Sequence, residues 1–288
     1  MIPIPSAITR ITAGGLQLWT DHIYRDGYRI QQHAISGRWR LLDQDHCRVV
    51  SGTREACQAE LDRIKDSATW DQTDAPIILL IHGLMRTANC MSPLKQHLMA
   101  KGATHVTRYS YASSRASIMS HAAALVSYVE SLPPSSQLSF VGHSMGNIVL
   151  RAAVGQWNRE GDPRGVLARM HRVVMLGPPN QGALIARRLA YTGIFGWING
   201  PGGMELGVRW HEIESKLATP PCPFAILAGD LSSTWIHNPL VGPASDLLVR
   251  IEETKLEGQT EFVTLPIPHS TLMCHPRAME YISNFLLT

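Results

Sequence analysis

An α/β fold, with a mostly parallel central sheet flanked by helices, is what the sequence predicts, and three features predict it. From Pro76 onward, apolar runs of strand length alternate with longer segments of helical periodicity. The runs are nearly continuous in Ile, Leu and Val, as in strands buried on both faces. One of them, Gln137 to Val141, leads through Gly142-His143-Ser144-Met145-Gly146 into a helical stretch, a strand-turn-helix junction.

The expected strands are Ile77 to Ile81, His105 to Tyr111, Gln137 to Val141, Arg172 to Leu176, Phe224 to Ala228 and Glu261 to Leu265. Between the second and third, Arg115 to Leu132 carries Ile118, Ala122, Leu125, Val126 and Val129 on one helical stripe, which marks a face packed on the sheet. Residues 183–223 form the longest interval between strands and are rich in Gly and Trp, including Gly196, Trp197 and Trp210. An insertion of that length predicts either a lid or cap over a site or a helix pair with loops that only covers the sheet. Residues 1–73 form a small ββα extension of unknown role: strands around Tyr28 to Gln32 and Trp39 to Leu41, turns at Asp26-Gly27 and Ser36-Gly37, then a helix from Ser51 to Lys65. The catalytic domain is expected over 74–288.

Composition narrows the function. With 26 basic against 23 acidic residues, the formal charge of +3 is too small and too dispersed for a nucleic-acid partner. No apolar run reaches a membrane span, and Met1 to Gly14 shows no charged segment followed by a signal-length apolar run. Five scattered cysteines, Cys47, Cys57, Cys90, Cys222 and Cys274, lack metal-ligand spacing and fit reduced thiols in a cytoplasm. The expectation is a cytoplasmic protein without metal or cofactor, able at most to touch a lipid surface transiently through basic groups such as Arg187 and Arg188.

The chemistry centres on Ser144. In a G-x-S-x-G junction the serine occupies a tight, strained turn, and small flanking residues let the backbones pass closely while Oγ stands exposed. Ile81-His82-Gly83-Leu84, at the end of another expected strand, is the natural second half of an oxyanion hole, with N–H groups from Leu84 and Met145. His82 is expected to order that loop. Together with Gly83, His143 and Pro178 it is also expected to border the substrate. The general base is His269, on the loop after the last strand; its rival His275 opens the terminal helix beside Pro276. Two aspartates compete to orient the imidazole, Asp230 at the end of a strand and Asp246 in a loop, and strand position alone does not separate them.

The stretches Ile81-His82-Gly83-Leu84, Val141 to Asn147, Leu176 to Gly182, Ala228-Gly229, Asn238-Pro239-Leu240 and Pro268 to Met273 give the specific resemblance. From about Ala75 on, the chain resembles the lipase and esterase branch of the α/β-hydrolases, including bacterial triacylglycerol lipases and glycosylphosphatidylinositol-deacylase-like proteins. That resemblance implies a serine hydrolase acting on a small-molecule or lipid ester. It also moves the acid to Asp246, because the family's Asn-Asp-Gly-x-Val stretch falls where Ser245-Asp246-Leu247-Leu248-Val249 stands, with Asp230 the alternate. Leu247 replaces the usual Gly, at a position where Gly tolerates a positive φ and Leu resists it. A thioesterase, amidase or acyltransferase would use the same constellation, and a non-catalytic binding protein would share the fold.

Overall fold

In the computed structural model, residues 17–65, 76–190 and 194–288 are described. The expected domain boundary at residue 73, the first fourteen residues, and the side chain of Trp197 lie outside them. The N-terminal strands are β1 (Trp19–Arg25), β2 (Tyr28–His33), β3 (Trp39–Leu42) and β4 (Arg48–Gly52), followed by α1 (Arg54–Lys65). Then come β5 (Ile77–Ile81), α2 (Ser92–Ala100), β6 (His105–Tyr109), α3 (Ile118–Glu130), β7 (Leu138–His143), α4 (Met145–Glu160), α5 (Val166–Arg169) and β8 (Met170–Leu176). The chain ends with α6 (Leu184–Ala190), α7 (Ile194–Glu205), β9 (Phe224–Gly229), α8 (Ile251–Thr254), β10 (Glu261–Leu265) and α9 (Pro276–Leu287).

Six strands form one sheet in the order β10-β9-β8-β7-β5-β6, every neighbour pair parallel. The strand alternation splits the core into two layers. Leu79, Ile81 and Phe140 face α3 and α4, where Ile118, Leu125, Ile148 and Ala152 meet them. Leu80, Val141 and Leu227 face the other way, onto Leu94 and Leu98 of α2 and Ile282 and Leu286 of α9. Such a sheet is covered on both faces, so functional groups gather at its carboxyl ends. The sheet and its two covering layers are the α/β architecture that the alternation of strands and helices predicts, arranged as the resemblance to α/β-hydrolases implies.

The extension is larger than a ββα unit: β1 to β4 form an antiparallel sheet in sequence order, with its own core of Ile23, Ile30, Leu41, Cys57 and Leu61. Ser51 belongs to β4, and the helix begins at Arg54, with Thr53 Oγ1 accepting the Ala56 N–H at 3.2 Å. β1 carries no legible pattern because it buries a carboxylate, Asp21, where an apolar residue would be expected; β4 is mostly exposed. Asp26 and Gly27 both adopt positive φ, +50° and +84°, as a two-residue hairpin turn requires. No helix among the described residues is long and apolar enough to cross a membrane.

Candidate active site

Ser144 lies between β7 and α4 with φ +53° and ψ −126°, a conformation rarely adopted by a residue with a side chain. Its backbone is clamped: the Ser144 N–H donates to Leu176 O at 2.8 Å, and the Asn147 N–H donates to Ser144 O at 3.0 Å. The flanking glycines are steric necessities. A Cβ on Gly142 would lie 2.1 Å from Asn147 Oδ1, and one on Gly146 would lie 2.6 Å from the His82 carbonyl oxygen. The turn therefore holds only with small residues at both positions.

His269, on the loop after β10, approaches Asp246 to 2.6 Å between Nδ1 and Oδ2. The carboxylate is 1% exposed. Its second oxygen accepts the N–H groups of Leu248 at 3.0 Å and Val249 at 2.8 Å, so neither oxygen is left bare. The His269 N–H returns a bond to Asp246 O at 2.9 Å, locking the two loops together. Leu247 takes the positive φ its position demands, +84°, despite its side chain. Asn238 Nδ2 holds it there through the Leu247 carbonyl at 2.7 Å. Asp230 is otherwise engaged, accepting the Ser232 N–H at 2.9 Å in its own turn. Of the two candidate acids, only Asp246 is brought to the imidazole.

Gly177, which follows β8, makes room for that pair. A Cβ there would lie 3.0 Å from His269 Nδ1 and 3.1 Å from Asp246 Oδ2, and its φ is +51°. His143 supports the same loop from beneath. Its Nε2–H donates to the His269 carbonyl at 3.0 Å while Nδ1 is buried without a partner. Burial, reinforced by the neighbouring His269, holds its pKa well below the usual histidine range, so the ring is neutral.

The loop after β5 runs beside the elbow: a Cβ on Gly83 would touch Ser144 Cβ at 3.0 Å. His82 is fully buried, with both ring nitrogens committed. Nδ1–H donates to Gly83 O at 2.9 Å, and Nε2 accepts the Tyr111 N–H at 3.4 Å. Burial lowers its pKa to about 4, which keeps this tautomer neutral. Among the described residues, the backbone N–H groups of Leu84 and Met145 have no acceptor in the chain.

One cavity of about 290 Å³ joins these parts, lined by Leu84, His143, Ser144 and His269 together with Pro179, Leu248 and Val249. Its other wall comes from the 183–223 insertion, through Ala183, Ile185, Ala186, Leu189, Gly203 and Leu206. Ser144 and His269 share the space without a hydrogen bond between their side chains in this conformation, as is common before substrate binds. Of the expected substrate neighbours, His143 lines the cavity. His82 does not, because its ring is spent on ordering the loop; Gly83 and Pro178 are likewise outside the lining, where Leu84 and Pro179 stand instead. Tyr111 and Ser113 support the loop: the sequence predicts a strand ending at Tyr111 and gives neither residue a role, whereas β6 ends at Tyr109 and both lie on the loop beyond it. No group of three His, Cys, Asp or Glu side chains among the described residues converges on a metal position.

Comparisons with known proteins bear on the family and the fold. Residues 72–177 match the family described as "Putative serine esterase (DUF676)". The fold is similar to that of the mature lipase BlEst2 of Bacillus licheniformis, at TM-score 0.59 and 17% identity, over 75% of this chain and 93% of that one. It is also similar to the metagenomic carboxyl esterase MGS0156, at TM-score 0.54 and 16% identity over 74% and 75% of the two chains. A third similar structure is the phospholipase PlaB of Legionella pneumophila, at TM-score 0.56 and 17% identity over 75% of this chain; the match spans 60% of that protein. None of the curated proteins matches the sequence.

Proposed function

We propose that this chain, an α/β-hydrolase of the lipase and esterase branch, hydrolyses carboxylic esters through an acyl-enzyme on Ser144. The observation that carries the proposal is the buried 2.6 Å contact of His269 with Asp246 on the wall of the cavity that also holds the strained Ser144. In this mechanism Ser144 Oγ bonds to the ester carbonyl carbon as its proton passes to His269 Nε2. Asp246 accepts Nδ1–H and stabilises the imidazolium. The carbonyl electrons move onto oxygen, where the N–H groups of Leu84 and Met145 hold the negative charge. The C–O bond then breaks, the leaving alkoxide takes the proton from His269, and water repeats the cycle to release the acid.

The apolar cavity suits an acyl chain. Among the described residues Arg86 is the one charged residue in its lining, and the insertion supplies aliphatic side chains as a lid. A transient lipid-surface contact belongs to the same proposal. Trp235 is 88% exposed on the loop that Arg188 ties to α6 through the Leu240 carbonyl at 2.7 Å, next to the cavity wall. The decisive experiment uses a fluorophosphonate probe and a p-nitrophenyl ester series of increasing acyl length. The wild type is expected to be labelled and to turn over esters, and Ser144→Ala to do neither. Equal labelling of the two removes Ser144 from the mechanism.

A further inference from the structure

No residue of the N-terminal sheet lines the cavity among the described residues, yet the sheet is joined to the loop that carries Leu84. β1 does not end in a free edge. The Asp21 N–H donates to Ser110 O at 2.8 Å, and the Ser110 N–H donates back to Asp21 Oδ2 at 2.9 Å. Two residues on, the Ala112 N–H donates to Thr20 Oγ1 at 3.1 Å. Asp21 is completely buried and is itself fixed by Arg29 Nη1 at 2.8 Å and Gln31 Nε2 at 2.6 Å. These bonds bracket Tyr111.

Tyr111 in turn holds His82 by three contacts: its N–H to Nε2, its hydroxyl donating to the His82 carbonyl at 2.7 Å, and a ring stacked at 4.3 Å. With Nε2 accepting a hydrogen bond, the ring's proton must sit on Nδ1, which donates to Gly83 O. That carbonyl belongs to the same planar peptide as the Leu84 N–H, so fixing one fixes the direction of the other. Beyond Leu84, the Met85 N–H donates to Ser113 Oγ at 3.0 Å, and Ser113 is anchored by its own N–H on Tyr111 O at 2.9 Å.

We propose that the N-terminal sheet is a positioning element of the oxyanion hole, with Asp21 and Tyr111 as positioning residues that set the Leu84 amide through His82. The proposal rests on the hydrolase reading above. A pairing that served folding alone would have no reason to converge on the peptide that carries the Leu84 amide.

The test uses the full chain as wild type, Asp21→Asn, Tyr111→Phe and a control, Arg25→Ala, whose pair with Asp62 lies on the surface of the same extension. Three quantities are measured: kcat and KM on a p-nitrophenyl ester, Ki for an alkyl trifluoromethyl ketone, whose hemiketal oxyanion stands in for the tetrahedral intermediate, and Tm. The expected result is a loss of about tenfold in kcat for Asp21→Asn and Tyr111→Phe, KM within about twofold, and Ki weakened in parallel. Arg25→Ala is expected to match the wild type. Folded variants with unchanged kcat, or with kcat reduced and Ki intact, overturn the positioning role. Should Asp21→Asn fail to fold, Tyr111→Phe decides alone, since it removes one hydroxyl. A wild type inert to ester and fluorophosphonate alike overturns the hydrolase reading itself, and the positioning role with it.

Discussion

His82 and His269 both stand on loops at the carboxyl edge of the parallel sheet, and their rings are of one chemical kind, yet their surroundings assign them opposite work. The His82 ring is buried with a partner on each nitrogen, so it can neither take up nor release a proton without breaking a bond. The His269 ring commits only Nδ1, to Asp246, and lines the cavity with Nε2 unpartnered among the described residues. The difference teaches that the base is the histidine whose second nitrogen is left for the substrate, whereas a histidine with both engaged is scaffold.

The strongest way to break that comparison is to remove each ring in turn. His269→Gln is expected to lower kcat/KM by about 10,000-fold or more while the far-ultraviolet spectrum and Tm stay close to wild type. A residual rate within tenfold of wild type would return the role of base to another group. The two aspartates sharpen the same contrast. Asp246→Asn is expected to cost about 1,000- to 10,000-fold in kcat, because the amide presents the wrong partner to Nδ1–H, and Asp230→Asn about twofold at most. Reversal of that order in steady-state kinetics would transfer the acid to Asp230.

Gly177→Ala comes next in size. The added methyl meets both members of the pair and the backbone sits at positive φ, so kcat is expected to fall about 10- to 100-fold, with a lowered Tm. Activity equal to wild type would mean that the pair tolerates displacement.

His82→Gln is expected to cost about tenfold or less in activity, but its effect on stability has a sign. Burial holds the folded His82 at a pKa of about 4, below its ordinary 6.5. Between those values the unfolded chain takes up a proton that the folded chain refuses. Its contribution is therefore fully present above pH 6.5, falls on acidification and levels off below about pH 4. At pH 5 the loss is on the order of 2 kcal/mol relative to neutral pH, and urea unfolding of His82→Gln should lack that increment. An identical pH dependence in the two proteins would show that the ring is not held neutral.

Much of the site was legible in the sequence because its signals are short. The glycines at 142 and 146 are demanded by contacts within the turn itself or with the adjoining strand, and His269 follows the last strand on a loop with no competing task. The choice between Asp230 and Asp246 was open on spacing, since both lie near strand ends on the correct side of the sheet. The family resemblance favours Asp246, and the choice closes on its 2.6 Å contact with His269. Leu247 could be flagged as a strained substitute for glycine, but not that Asn238 would hold it there. β1 was missed for a related reason: a buried Asp21 breaks the alternation by which a strand is recognised, and its three partners are far away in the chain or on other strands.

By itself the sequence determined the strands of a mostly parallel sheet and the strained serine turn, which follow from residue periodicity and local backbone sterics. The tertiary structure alone showed the Asp246 carboxylate in contact with His269, set the tautomer of His82, and tied a sheet near the amino terminus to the Leu84 loop. Those outcomes depend on hydrogen bonds between groups 23 to 92 positions apart, and such bonds leave no period or motif in the chain that makes them.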